Sequence, residues 1–371
     1  MKNIGVLGCT GSIGTTTLRV IRDNNFRVGL LANHSDLDGL LRLIEEFHPQ
    51  YAVCIQKKYL YCDGKEYSLP DDFLSRPETY EGLDIVVNGI VGIAGLDPTL
   101  AVLKSNAILA TANKESFVCA GNIIKKHGSV KDGKIYPLDS EHSAIWQLID
   151  GRIDVNKVTI TASGGAFRDL DKNELALAKA NDALRHPNWL MGKKVTIDCA
   201  TLMNKGMELI EAKHLFNLLC EAIGHRESII HAIAEYADGK KYVNMSMPTM
   251  YTPINYALQY PTIGKNDNYP IEYSEKKGLS FFELDEDKFP CLSIAKEVVK
   301  LGDKAGCVMN AANEVLVKKY LDGDISFYDI PCGITSAMEK FDIVGDFDDV
   351  ESIVRIDGQV KEYTLSMSFG R

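Results

Sequence analysis

None of the nine cysteines (Cys9, Cys54, Cys62, Cys119, Cys199, Cys220, Cys291, Cys307 and Cys332) stands at CxxC spacing from another. That excludes a zinc ribbon and a CxxC redox pair. The odd number of cysteines, with no secretory leader, predicts the reducing cytoplasm. Long apolar runs are also missing. None approaches the roughly 20 residues that a membrane span needs. Basic surplus is missing too, since the formal net charge is -10. A generic nucleic-acid binder is therefore excluded, because nothing is in excess to neutralise phosphates. A locally basic pocket for a small phosphorylated substrate remains open. There is no internal repeat and no low-complexity tract. What is present is a globular composition, 45% hydrophobic and 25% charged, on a chain of 371 residues. That length exceeds one ordinary core, so two or three domains are expected.

The first part alternates strand and helix. Residues 3–7 form a short buried strand, and a helix runs near 15–22. The next strand is 26–32, and 37–47 has helical spacing. Residues 84–88 (DIVVN) and 107–110 (AILA) are further buried strands, with helices at 96–104 and 116–126. This alternation predicts a parallel sheet covered on both faces. From about residue 140 the texture changes. Stretches 158–162 (VTITA) and 195–198 (VTID) read as strands ending in polar loops, and 228–236 with 241–246 as a hairpin. Residues 260–277 read as a linker, and the remainder is mainly helical.

GCTGSIG, residues 8–14, lies between the first strand and first helix. Glycines let a backbone approach a pyrophosphate, and a helix N-terminus supplies donors. The spacing is GxxGxxG rather than GxGxxG, and a ligand-free glycine turn is the alternative. At the end of the second strand, Asn33-His34-Ser35 carries no acid until Asp36. Polar, non-acidic side chains there suit a 2′-phosphate, as in NADP. An ordinary surface histidine is the other reading of His34.

Four further stretches carry chemistry. PLDSEHSAIW places Asp139 and Glu141 either side of Ser140 before a helical run. Two acids there either cap the helix or hold a metal ion. ITASGGAFR sets Ser163 after a strand, where hydroxyl and amide donors could cradle an anion. In DCATLMNKGMELIEA, Lys205 offers a point charge for phosphate and Asn204 a neutral donor, with Glu208 about one turn later. An i,i+3 surface pair is the bland account of Lys205 and Glu208. Lys114 in TANKESFV stands at the mouth of the sheet, in position for a ligand or simply solvated. In RHPNWLMGKK, Pro187 and Gly192 break regular structure, so Trp189 is either a lid residue or a packed anchor.

In order along the chain, GCTGSIG, NGIVGIAGLDPTL, TANKES, PLDSEHSA, ITASGGAFR, RHPNWLMGKK, MNKGMELIEA, FFELDEDKFPCL and MNAANEV resemble the 1-deoxy-D-xylulose 5-phosphate reductoisomerase family. The likeness covers nearly the whole length. It implies conversion of 1-deoxy-D-xylulose 5-phosphate to 2-C-methyl-D-erythritol 4-phosphate in the non-mevalonate route to isoprenoids. It implies NADPH, a divalent ion (Mg²⁺, Mn²⁺ or Co²⁺), and a homodimer with neither nucleic-acid nor membrane partners. The implied metal ligands are Asp139, Glu141 and Glu208, catalytic together with Lys114. Lys114, Ser140, Glu141, Ser163, His186, Cys199, Asn204, Lys205 and Glu208 would contact substrate. Thr10, Gly11, Ser12, Ile13, Asn113, Glu115 and Gly192 would touch NADPH, with Asn33, His34 and Ser35 beside its 2′-phosphate. His186, Pro187, Asn188, Trp189 and Met191 would form the lid. Inhibition by fosmidomycin is implied as well.

The implied architecture is α/β: a Rossmann-like NADPH-binding domain over 1–138, a central α+β catalytic and dimerisation domain over 139–262, a linker over 263–288 and a helical bundle over 289–371. Some positions depart from the family. Cys199 stands where a serine contacting phosphate is usual, which predicts a weaker grip because a thiol is the poorer donor. Thr201 is a candidate substitute. Ala166 replaces a proline, and residues 33–35 are less basic than usual. His225-Arg226-Glu227 replaces His-Pro-Gln, and the hairpin from 240 to 247 diverges. A plain NADP-dependent oxidoreductase would not need the three acids together. A silent NADPH-binding protein would tolerate their loss and that of Lys114.

Overall fold

The computed structural model describes residues 1–152, 154–184, 192–218, 220–262, 264 and 278–370. They fall into two compact units. The first comprises Met1–Ser116, Ile124–Trp146 and Thr249–Pro270, and the second Phe117–Ile123, Gln147–Pro248 and Ile271–Arg371.

In the first unit the chain runs β1 (Asn3–Leu7), α1 (Ser12–Asp23), β2 (Arg27–Asn33), α2 (Leu37–Phe47), β3 (Tyr51–Cys54), β4 (Tyr59–Cys62), β5 (Lys65–Ser68), β6 (Ile85–Asn88), α3 (Leu96–Lys104), β7 (Ile108–Thr111), α4 (Lys114–Lys125), β8 (Ile135–Pro137) and α5 (Ser140–Ile149). One eight-stranded sheet has the order β5-β4-β3-β2-β1-β6-β7-β8. Its strands are parallel except the β4 and β5 edge, which is added antiparallel. Ile4, Val6, Leu7, Val86 and Val87 are fully buried, because helices cover both faces and no polar alternation is needed. β2 and β6 flank β1 on opposite sides. The sheet therefore reverses direction there, and ligands of open α/β sheets bind at such a switch point. α2 starts where Asp36 accepts from Gly39 N at 2.9 Å, a side-chain cap.

The second unit continues with β9 (Val155–Ala162), α6 (Lys172–Leu177), α7 (Ala180–Ala183), α8 (Lys193–Ala200), α9 (Met203–Phe216), β10 (Cys220–Gly224), β11 (Ile230–Tyr236) and β12 (Lys241–Met245). α10 (Tyr251–Gln259) returns to the first unit. α11 (Pro290–Leu301), α12 (Asp303–Asp322), α13 (Asp329–Lys340) and α14 (Val350–Ser366) complete the chain as the expected helical region. The sheet order is β10-β9-β11-β12, with β9 and β10 parallel and the other pairs antiparallel. α9 and α11 approach closely at Gly206, where a Cβ would lie 2.3 Å from Ala295 Cβ. Lys319 closes α14 by donating to the carbonyls of Thr364, Leu365 and Met367 at 3.1, 2.8 and 2.9 Å.

α10 is held in the first unit by polar and aromatic contacts. Tyr251 Oη donates to Asp23 at 2.7 Å and Asn24 Nδ2 to Asn255 at 3.0 Å. Trp146 lies against Tyr136, Tyr256 and Tyr260, with ring centroids 4.8, 4.9 and 4.7 Å away.

One sequence expectation is corrected. VTID at 195–198 is not a strand but the centre of α8. Its alternation of β-branched and polar residues is too short to decide between strand and helix. Tertiary partners decide it. Asp198 is buried, accepts from Asn313 Nδ2 at 2.8 Å and pairs with Lys194 at 2.8 Å across one helical turn. The following loop thus joins helix to helix. No helix of the described residues is long and apolar enough to cross a membrane.

Candidate active site

The first unit assembles two groups of the expected residues. At the glycine turn, Gly8 N and Cys9 N donate to Ala32 O at 2.8 and 2.9 Å, and Gly11 N to Gly8 O at 2.9 Å. The turn is thereby fixed against the end of β2. Gly11 caps α1 without a side-chain bond, so the first-turn amides of Ser12 and Ile13 take no side-chain cap, while Thr10 and Gly11 lie in the turn before them. Asn33 is buried, and its amide donates to Asp36 O at 2.5 Å and Thr10 Oγ1 at 3.4 Å. His34 and Ser35 are exposed. Asn113 is buried as well. Its Nδ2 donates to Ile90 O and Gly92 O at 2.6 and 2.8 Å, and its Oδ1 accepts from Ser116 N at 3.0 Å. That amide secures the 90–92 loop and the first turn of α4. Glu115 beside it is buried.

The second group is Lys114, Asp139, Ser140 and Glu141. Asp139 immediately precedes α5. Its carbonyl accepts from Ser143 N at 2.8 Å and its Oδ1 from Ser140 N at 3.0 Å. The acids do stand at a helix start, as capping requires. Yet Asp139 Oδ2 also meets Lys114 Nζ at 2.6 Å, so that lysine is not merely solvated. Ser140 Oγ donates to the Glu141 carboxylate. Hard oxygen donors of this kind suit Mg²⁺ or Mn²⁺ rather than structural zinc.

The second unit holds the remaining described residues. Ser163 follows β9, and Gly164 and Gly165 take φ of +84° and +71°. A Cβ on Gly165 would lie 2.4 Å from Cys199 O, so this loop is pressed onto the end of α8. Asn204, Lys205 and Glu208 lie on the first two turns of α9. Lys205 pairs with Glu208, and Asn204 Nδ2 donates to the same carboxylate. Both charged side chains are buried, at 5% and 1% exposure, which rules out the surface-pair account. Cys199 is half-buried. The hydroxyl of Thr201, the candidate substitute, has backbone partners. It donates to Asp198 O at 3.2 Å and accepts from Met203 N at 3.3 Å. Gly192 stands at the N-terminus of α8, its carbonyl accepting from Thr196 N at 3.0 Å. His186, Pro187, Asn188, Trp189 and Met191 lie outside the described residues.

Two residues with metal-ligating side chains were missed. His142 and Glu211 are buried three positions after Asp139 and Glu208, on the same helical faces. That i,i+3 spacing was the available signal.

Comparison with known proteins identifies the family of the whole chain. The family model of 1-deoxy-D-xylulose 5-phosphate reductoisomerase matches residues 4–121. Its C-terminal domain models match 135–216 and 245–363. The 1-deoxy-D-xylulose 5-phosphate reductoisomerase of Clostridium tetani is 38% identical over 380 aligned positions, spanning 98% of each chain. That of Trichlorobacter lovleyi is 42% identical over 353 positions, spanning 91% of this chain and 90% of the relative. A crystal structure of DOX-P reductoisomerase in complex with NADPH, fosmidomycin and magnesium superposes with a TM-score of 0.91 at 35% identity, covering 98% of this chain and 97% of that one. The chain belongs to the 1-deoxy-D-xylulose 5-phosphate reductoisomerase family.

Proposed function

We propose that the chain converts 1-deoxy-D-xylulose 5-phosphate to 2-C-methyl-D-erythritol 4-phosphate, by carbon-skeleton rearrangement and NADPH-dependent reduction. The observation that carries this reading is a pair of lysine–carboxylate contacts on family motifs, Lys114 with Asp139 and Lys205 with Glu208. Asp139, Glu141 and Glu208 would hold Mg²⁺ or Mn²⁺, and their carboxylate chemistry fits such an ion. When bound, the metal polarises the substrate ketone and lowers the pKa of the adjoining hydroxyl.

The chain's own residues supply positioning and charge. Ser163, Asn204 and Lys205 grip the substrate phosphate, which lies remote from the reacting carbons and contributes binding energy. Ser140 orients the substrate beside the acids. Lys114 stabilises oxyanions that develop as the C3–C4 bond breaks and the fragments rejoin. Thr10, Gly11, Ser12 and Ile13 at the start of α1 would hold NADPH, which would supply the hydride that reduces the branched aldehyde.

The direct test is NADPH oxidation with 1-deoxy-D-xylulose 5-phosphate after chelator treatment, with and without Mn²⁺, and with NADH as control. Metal-dependent turnover that prefers NADPH is expected. Metal-independent reduction of the substrate would favour a plain oxidoreductase instead.

Cys199→Ser is expected to lower the substrate KM several-fold at unchanged kcat, because a hydroxyl is the better donor to phosphate. An unchanged KM rejects a role for this position in the phosphate grip. A homodimer is also part of this reading. Its support is β12, an edge strand exposing Tyr242 and Val243 at 41% and 45%, since such an edge is normally covered. Light scattering should give twice the 41.0 kDa chain mass. A monomer at working concentration would reject it.

A further inference from the structure

The end of β2 lacks the cation that a 2′-phosphate calls for. Asn33-His34-Ser35-Asp36 contains no lysine or arginine. Asn33 is buried and spends its amide on Asp36 O and Thr10. The Asp36 carboxylate is spent on the cap of α2. His34 and Ser35 remain exposed where the second strand of a dinucleotide-binding fold meets the adenosine ribose.

Another part of the sheet brings charge to that place. β2 and β3 are parallel, with Asn33 opposite Cys54. The pairing continues past both strand ends. Ile55 N donates to Asn33 O at 3.1 Å and Gln56 N to His34 O at 2.7 Å. Lys58 N then closes the turn on Ile55 O at 3.1 Å, with Lys58 at φ +50°. The turn into β4 therefore carries Lys57 and Lys58 alongside His34 and Ser35. Both lysines are exposed. Lys58 is engaged by Asp71, which leaves Lys57 as the cation this turn offers. The acids on the facing elements are Asp36, engaged as a cap, and Asp38 in the first turn of α2.

We infer that Lys57, presented by the β3–β4 turn beside His34 and Ser35, recognises the 2′-phosphate and sets the preference for NADPH over NADH. This rests on the proposed binding of NADPH to the first unit. An ammonium on a phosphate at the surface acts as a point charge through a charge-assisted hydrogen bond. Its contribution weakens with added salt.

The test is direct binding of NADPH and NADH to the full chain without substrate, read from nicotinamide fluorescence. Wild-type protein should bind NADPH about tenfold or more tightly over NADH. Lys57→Ala should reduce that ratio by about tenfold through the NADPH constant alone, and should flatten its salt dependence. Lys58→Ala should keep the ratio. A ratio retained in Lys57→Ala, or no discrimination by wild-type protein, overturns the inference while leaving cofactor binding intact. Wild-type protein that binds neither nucleotide overturns the cofactor reading and this inference with it.

Discussion

Glu208→Gln is expected to lower kcat/KM for 1-deoxy-D-xylulose 5-phosphate by about a thousandfold, roughly 4 kcal/mol of transition-state stabilisation. It should also remove any rise in Tm that Mn²⁺ gives the wild-type protein. The change keeps the side chain's shape and deletes only its charge. Glu208 is 1% exposed and carries contacts from Lys205 and Asn204. Neutralising it leaves a buried ammonium short of counter-charge, and breaking a buried pair this way costs about 3–5 kcal/mol. The variant should therefore be both inactive and less stable, so activity alone cannot separate the two effects. Asp139→Asn separates them. Asp139 is more exposed than Glu208, at 16% against 1%, and its partner Lys114 is at 13%. Its loss should cost little stability yet reduce turnover comparably. If Asp139→Asn folds normally and keeps Mn²⁺-dependent turnover near the wild-type rate, the three-acid metal site is wrong.

The contrast between these acids shows what the sequence could and could not convey. The parallel strands were legible because each is a short apolar run between turn residues, and burial on both faces demands that. α2 was legible to the residue, since the apolar spacing over 37–47 matches its bounds Leu37–Phe47. Lys205 and Glu208 looked locally like a surface pair. Their burial, at 5% and 1% exposure, comes from tertiary packing rather than from the spacing of the pair. No local pattern encodes that. The same holds for α10, whose place beside α1 and Trp146 depends on contacts such as Tyr251 with Asp23. β10 escaped notice because CEAIG alternates poorly, and its pairing with β9 supplies the order instead. At 195–198 local propensity pointed the wrong way, and the Asp198 contacts with Asn313 and Lys194 prevailed. The site motifs were legible chiefly through family resemblance. The paired contacts of Lys114 and Lys205 are physical facts that spacing alone left open.

The GxxGxxG turn yields the second large effect, because its three glycines are constrained for different reasons. Gly14→Ala is expected to be the most damaging to the fold. A Cβ there would lie 2.2 Å from Gly8 O and 2.5 Å from Cys9 Cα. Those are backbone atoms of the turn itself, so no side chain can swing aside. Overpacking of this kind costs about 1–3 kcal/mol, occasionally more. In a unit of this size about 3 kcal/mol corresponds to a Tm lower by roughly 6–12 °C. Gly8→Ala should come next. Gly8 holds φ +80°, which strains any other residue, and its Cβ would lie 2.8 Å from Gly89 O. Gly11→Ala should barely change Tm, since the nearest atom to its Cβ is Gly8 O at 3.3 Å. Yet Gly11 stands at the N-cap of α1, where a pyrophosphate approaches the backbone. Gly11→Ala should therefore weaken NADPH about tenfold or more while the protein melts normally. Thermal melts and NADPH titrations of the three variants give two rankings. Loss of stability should run Gly14, Gly8, Gly11, whereas Gly11 alone should lose cofactor affinity out of proportion to its stability. If affinity follows Tm across all three, the turn is a structural device and the pyrophosphate does not rest on it.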